Sequence, residues 1–156
     1  MGFDYFTALI DSPVYVVTAS AGGRRAGCLV GFASQCSLEP ERFVVWLSTA
    51  NHTYLVARQA AVLGVHLLPQ DHDLAERFGA RCGAETDKFD GVDWTEGPGG
   101  TPLLTDAVAS FTGEILDRFD GGDHIGFLLA PLSVRAHDGT PLSLHQTLDI
   151  DAGHPA

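Results

Sequence analysis

The chain has 156 residues, 45% of them hydrophobic and 19% charged, enough apolar matter for one domain's core and too much for a disordered chain. Twenty acidic residues against nine basic ones give a formal net charge of −11. That balance excludes a large basic patch, and with it nonspecific binding to nucleic acid or to an anionic membrane surface.

The predicted elements follow in chain order. Val14-Tyr15-Val16-Val17-Thr18-Ala19 is β-branched and aromatic, and the run from Arg25 to Phe32 follows after Gly22-Gly23, so the two read as a hairpin. Phe43-Val44-Val45-Trp46-Leu47 is a continuous apolar run, the pattern of a strand buried on both faces. Asn51-His52-Thr53 offers an N-cap to a short helix over Tyr54–Arg58. Ala61 to Leu68 is strand-like and stops at Pro69; Asp71 then caps a helix through Phe78, with Leu74, Ala75 and Phe78 on one face. Residues 79–102 are so rich in glycine and proline that they read as one long loop, with Gly97–Gly100 as a turn. Alternation returns from Val108 to Ile115, Asp120–Asp123 makes a turn, and His124 to Val134 is a further strand in which Pro131 marks an edge or a bulge. Asp149 to Ala156 reads as frayed. Six or seven strands and two or three short helices, without β-α-β alternation, predict a mainly β fold: a barrel or sandwich with appended helices, in a single domain over residues 1–156.

Three cysteines, Cys28, Cys36 and Cys82, make neither a CxxC pair nor an even framework. The first residues form no signal peptide, so a reducing cytoplasm is the expected location. No GxGxxG after a strand, GxxxxGK[ST], HExxH or GxSxG occurs. His66, Asp71, His72 and Asp73 lie close in sequence and could ligate a divalent ion, but their spacing matches no closed site. Asn51-His52-Thr53 reads either as an ordinary helix cap or as an anion site built on a helix start. Asp123-His124 reads either as a surface turn or as an imidazole whose tautomer a carboxylate fixes, able to act as an acid or a donor.

Taken together, in unbroken order from about Ser12 to Leu144, these fragments resemble the flavin reductase-like family. Ala26-Gly27-Cys28-Leu29-Val30-Gly31-Phe32-Ala33-Ser34-Gln35-Cys36-Ser37-Leu38-Glu39-Pro40 is similar to its G-x-T-x-S-[SA]-F-x-S-x-S-L-x-P signature. Ser48-Thr49-Ala50-Asn51-His52-Thr53 resembles the stretch ending S-x-T that holds a flavin phosphate. Val65-His66-Leu67-Leu68 stands where the family has V-N-V-L. Asp87-Lys88-Phe89, Gly91-Val92 and Trp94 resemble its D-K-F-x-G-V-x-W segment, and Gly122-Asp123-His124-Ile125 its G-D-H-x-I motif.

The resemblance implies an FMN-binding split β-barrel of Greek-key type, and an NAD(P)H:flavin oxidoreductase. It implies FMN as cofactor, with FAD as the alternative, NAD(P)H as co-substrate, a homodimer, and a partner monooxygenase supplied with reduced flavin. A flavoprotein that carries electrons without reductase turnover is the rival reading. Cofactor contacts fall by resemblance on Gly31, Phe32, Ala33, Ser34, Ser37, Ser48, Thr49, Ala50, Asn51, Thr53, His66, Lys88 and Phe89, and the catalytic position on His124. There are departures. Cys28, Val30 and Gly31 stand where Thr and small hydroxyl residues are usual, His52 replaces Ser or Arg, His66 replaces Asn, and Pro141–His145 lacks a tyrosine.

Overall fold

The computed structural model describes residues 1–80 and 87–150. After α1 (Phe3–Thr7), β1 (Tyr15–Ala21) turns through Gly22 and Gly23 into β2 (Arg24–Val30). Both glycines have positive φ, 57° and 78°, the twist that a two-residue hairpin turn needs. β3 (Ala33–Leu38) begins two residues after β2 and pairs with β4 (Glu41–Ser48), with Cys36 as the extra residue of a bulge. The chain then runs through α2 (His52–Ala57), β5 (Val62–Leu67), α3 (Asp73–Ala80), the short β6 (Trp94–Glu96) and β7 (Pro102–Leu104), and the long hairpin of β8 (Ala109–Asp120) and β9 (His124–Ala136).

Seven strands form one antiparallel sheet in the order β2-β1-β5-β8-β9-β4-β3. Its edge strands β2 and β3 are joined by only Gly31 and Phe32, so the sheet must curl until its edges meet. At that junction the Trp46 N–H donates to the Phe32 carbonyl at 2.9 Å. No ladder joins β2 to β3 beyond it, so the barrel stays split along this seam. β4 reaches β5 by crossing the barrel end through α2, whose Val56 and Ala57 plug that end. This is the mainly β fold that the sequence predicts, closed as the split barrel that the resemblance implies, with the crossover of a Greek key.

The interior is filled by Tyr15, Val17, Ala19, Cys28, Val45, Leu47, Leu63, Val65, Phe127 and Leu129. A second cluster lies outside the wall, where Val14 and Val16 meet Ala75 and Phe78 of α3 together with Phe89, Leu104 and Leu142. Burial on both faces therefore belongs to β1. β4, expected to be buried on both faces, sends Val45 and Leu47 inward and leaves Val44 and Trp46 half-exposed, because no helix covers its outer side.

Other expectations are also corrected. The glycine-rich segment is not all loop: β6 and β7 pair through Gly97–Gly100, where Gly99 and Gly100 adopt positive φ. Part of that segment, residues 81–86 with Cys82, lies outside the described residues. α1 and β3 add to the elements that the sequence predicts. Asp71 accepts from the Asp73 N–H at 2.9 Å, but α3 starts at Asp73, so Asp71 makes a turn just ahead of the helix. Asp149 and Ile150 are docked rather than frayed; residues 151–156 lie outside the described residues. Pro131 sits at a bulge, as expected, with Leu132 as the extra residue.

Candidate active site

A cavity of about 360 Å³ opens where the ends of β2, β4 and β9 converge under the start of α2. Its apolar wall includes Cys28, Val30, Leu47 and Phe78, and its polar edge Ser48, Asn51 and His124. Phe32 and Trp46 stand at the β2–β4 seam, and the C-terminal segment closes over it with Leu144, Thr147, Leu148 and Ile150. Gly31 helps keep the space open, since a Cβ there would come within 3.2 Å of Leu144 Cδ1.

Each polar group is placed by its element. His124 opens β9, and its Nδ1 lies 2.7 Å from Asp123 Oδ1. The Phe32 ring sits 5.0 Å from the imidazole, centroid to centroid. Trp46 packs across Gly121 and Gly126, where a Cβ would come within 2.7 Å of the indole, so the turn before His124 lies flat on β4. Asn51 is the N-cap of α2, its Oδ1 accepting from the Thr53 N–H at 2.8 Å. Ser48 Oγ accepts from the Ala50 N–H at 3.2 Å. Beside this loop, Arg24 Nη2 donates to His52 Nε2 at 3.3 Å. Burial, then the charges of Arg24 and Lys88, holds the His52 imidazole below its ordinary range.

The structure thus brings five of the residues singled out by resemblance to one cavity: Gly31, Phe32, Ser48, Asn51 and His124. Thr49 and Ala50 are exposed in the adjoining loop, while Ala33, Ser34 and Ser37 continue along β3 away from it. Thr53 is 1% exposed, with its hydroxyl against the Cys28 thiol. Burial raises that thiol's pKa, while Lys88 and the Thr53 hydroxyl pull it back.

Three residues lie elsewhere. His66 is fully buried, its Nδ1 on the Val16 carbonyl at 2.9 Å and its Nε2 accepting from the Leu104 N–H at 3.0 Å, so neither nitrogen is left for a ligand. Burial is the main cause that lowers its pKa to about 4. Lys88 is buried behind the cavity, where Nζ donates to the Gly27 and Phe78 carbonyls, each at 3.0 Å, tying β2 to the end of α3. Phe89 belongs to the outer cluster. His72 reaches Asp149 and Glu76 and does not approach His66's partners, and the described residues contain no group of three or more metal-ligating side chains.

Sequence reasoning missed the C-terminal wall. Leu144, Leu148 and Ile150 carry an apolar spacing, but one too short to declare what it covers. In the sequence Trp46 is no more than one member of an apolar run.

The flavin reductase like domain family matches residues 7–148. The chain belongs to this family. A curated relative, the ferric-chelate reductase (NAD(P)H) of Archaeoglobus fulgidus, is 31% identical over 76% of this chain and 72% of its own length. The FMN reductase (NADH) RutF of Methylorubrum extorquens is 32% identical over 74% of this chain, which spans only 56% of that relative. A flavin reductase domain protein from Arthrobacter sp. FB24 superposes with a TM-score of 0.83, covering 99% of this chain and 94% of that one at 24% identity, which shows the shared fold.

The cavity fits the group this family is built around. A flavin ring is flat and mostly apolar with polar edges, matching a slot walled by Val30, Leu47 and Leu148 and edged by Ser48, Asn51 and His124.

Proposed function

We propose that this chain is an NAD(P)H:flavin oxidoreductase that uses FMN, working as a homodimer in the cytoplasm. The observation that carries the reading is the convergence of Gly31, Phe32, Ser48, Asn51 and His124, from three separate stretches of chain, around one apolar slot. When bound, the flavin accepts a hydride from NAD(P)H and passes the electrons on to an acceptor.

The chain's own residues do the rest. Val30 and Leu47 would give a bound flavin ring an apolar wall, and Phe32 and Trp46 bound the slot at the seam. The start of α2, with Ser48 and Asn51 and the neighbouring Arg24–His52 pair, is where a phosphate would be held in a protein of net charge −11. His124 presents its imidazole at the slot's edge. The same reading includes supply of reduced flavin to a partner monooxygenase.

Two further features support the cellular part of the reading. Cys28 and Cys36 are free thiols, and no helix among the described residues is long and apolar enough to cross a membrane.

Titration of the flavin-stripped protein with FMN and riboflavin, followed by NADH and NADPH oxidation, tests the function. FMN should bind more tightly than riboflavin, and bound FMN should be reduced faster than free FMN. Absence of flavin binding overturns the proposal. Binding without faster NAD(P)H oxidation leaves an electron-carrying flavoprotein instead.

A further inference from the structure

The pair Asp123–His124 carries more than a motif match, because its energetics and its geometry point in different directions. Asp123 is about 70% exposed and His124 about 23% exposed on their side chains, so the attraction between them is screened and adds little to stability. The contact is nonetheless short, 2.7 Å between Asp123 Oδ1 and His124 Nδ1. A carboxylate can only accept, so this contact requires the proton on Nδ1. Free neutral imidazole prefers the opposite tautomer, with the proton on Nε2.

The backbone that carries this carboxylate is itself held. Thr49 grips the Asp123 carbonyl twice, by its N–H at 2.9 Å and its hydroxyl at 3.3 Å, linking the loop after β4 to the turn before β9. Gly121 N–H closes that turn on the His124 carbonyl at 2.9 Å, and Trp46 presses on it from the β4 side. The Phe32 ring restricts the imidazole from the seam. Turn, loop and ring together flank the imidazole, which stands with Nδ1 on Asp123.

We propose that Asp123 is a positioning residue that fixes His124 as the Nδ1–H tautomer, so that Nε2 is a hydrogen-bond acceptor for an N–H donor of the amide or imide class bound in the slot. The nicotinamide carboxamide and the flavin imide both belong to that class. The consequence for catalysis rests on the reductase reading, but the tautomer does not.

The test separates the two. Long-range 1H–15N correlation spectra of the flavin-free protein, taken where His124 is neutral, should show the proton on Nδ1. In Asp123→Ala, whose exposed side chain leaves the Thr49 contacts to the backbone in place, the signal should revert to mostly Nε2–H. Reduction of bound FMN by NAD(P)H should slow by tenfold or more, the scale typical of lost orienting partners; flavin affinity unchanged within about twofold assigns the donor to the nicotinamide carboxamide, and a larger fall assigns it to the flavin imide. A wild-type protein that already carries Nε2–H, or a variant whose tautomer does not change, overturns the proposal. A switched tautomer with an unchanged reduction rate overturns the catalytic role of Asp123. Failure of the wild-type protein to bind flavin overturns only the reductase reading, since the tautomer is read without flavin.

Discussion

His66 shows how one residue's role turns on burial. A histidine in the place of a family asparagine invites a ligand role, yet here it bridges β1 to β7 as a neutral ring with both nitrogens used. Its folded pKa, about 4, lies below the ordinary 6.5. Above pH 6.5 neither state binds the proton. Between 6.5 and 4 the unfolded chain takes it up and the folded chain does not, so stability falls as the pH falls, by up to ~3 kcal/mol before levelling. His66→Asn can keep one donor and one acceptor without titrating. Denaturant melts at pH 7 and pH 4.5 should therefore show a smaller acid loss in the variant than in the wild type. The sequence could not separate His66 from His124: both are single histidines at strand positions, and only the surrounding packing makes one a core bridge and the other a site residue.

At the level of elements, the cavity depends on how closely β2 lies against α3. Gly27 is where they touch: a Cβ there would come within 2.8 Å of Phe78 and 3.3 Å of Phe89, two buried rings packed edge to face at 5.4 Å. The Gly27 carbonyl is also one of the two that hold Lys88. Both rings are buried and would have to shift, so Gly27→Ala should cost about 1–3 kcal/mol in thermal or denaturant unfolding. Flavin affinity should fall as well, because Cys28 and Phe78 both line the slot. Hairpins and caps were legible because their signals are local: paired glycines at 22 and 23, Asn51 before a helix. β3 was not, since Ala33–Leu38 alternates weakly and mostly faces solvent. The burial of β1 on both faces was also hidden, because the residues that cover its outer side lie at positions 75–142.

At the scale of the whole molecule, an apolar surface at the N-terminal helix stands uncovered. α1 buries nothing, and Phe3, Tyr5, Phe6 and Leu9 are 64%, 80%, 65% and 83% exposed. Contiguous apolar exposure of this kind is uncommon on a monomer and marks a binding surface. If α1 lies in the dimer interface, Phe3→Ser with Phe6→Ser should raise the dissociation constant at least tenfold, since burying each Phe is worth about 1.5–3 kcal/mol. Sedimentation equilibrium reads this directly; a wild-type protein that is monomeric at micromolar concentration refutes the dimer.

The amino-acid sequence by itself determined the class of fold, the family, and the order of the site's fragments along the chain, because periodicity, turn residues and motif spacing are properties of neighbours. It also set the charge, which excludes a broad basic surface but not a phosphate held by a helix start and one arginine. Only the tertiary structure decided which fragments meet. The two-residue link between β2 and β3 forces the sheet to close, and closure sets Gly31 and Phe32 beside Trp46 and His124, residues far apart in sequence. The same closure, with α3 packed outside, turns His66, Lys88 and Phe89 into supports of the wall rather than parts of the slot.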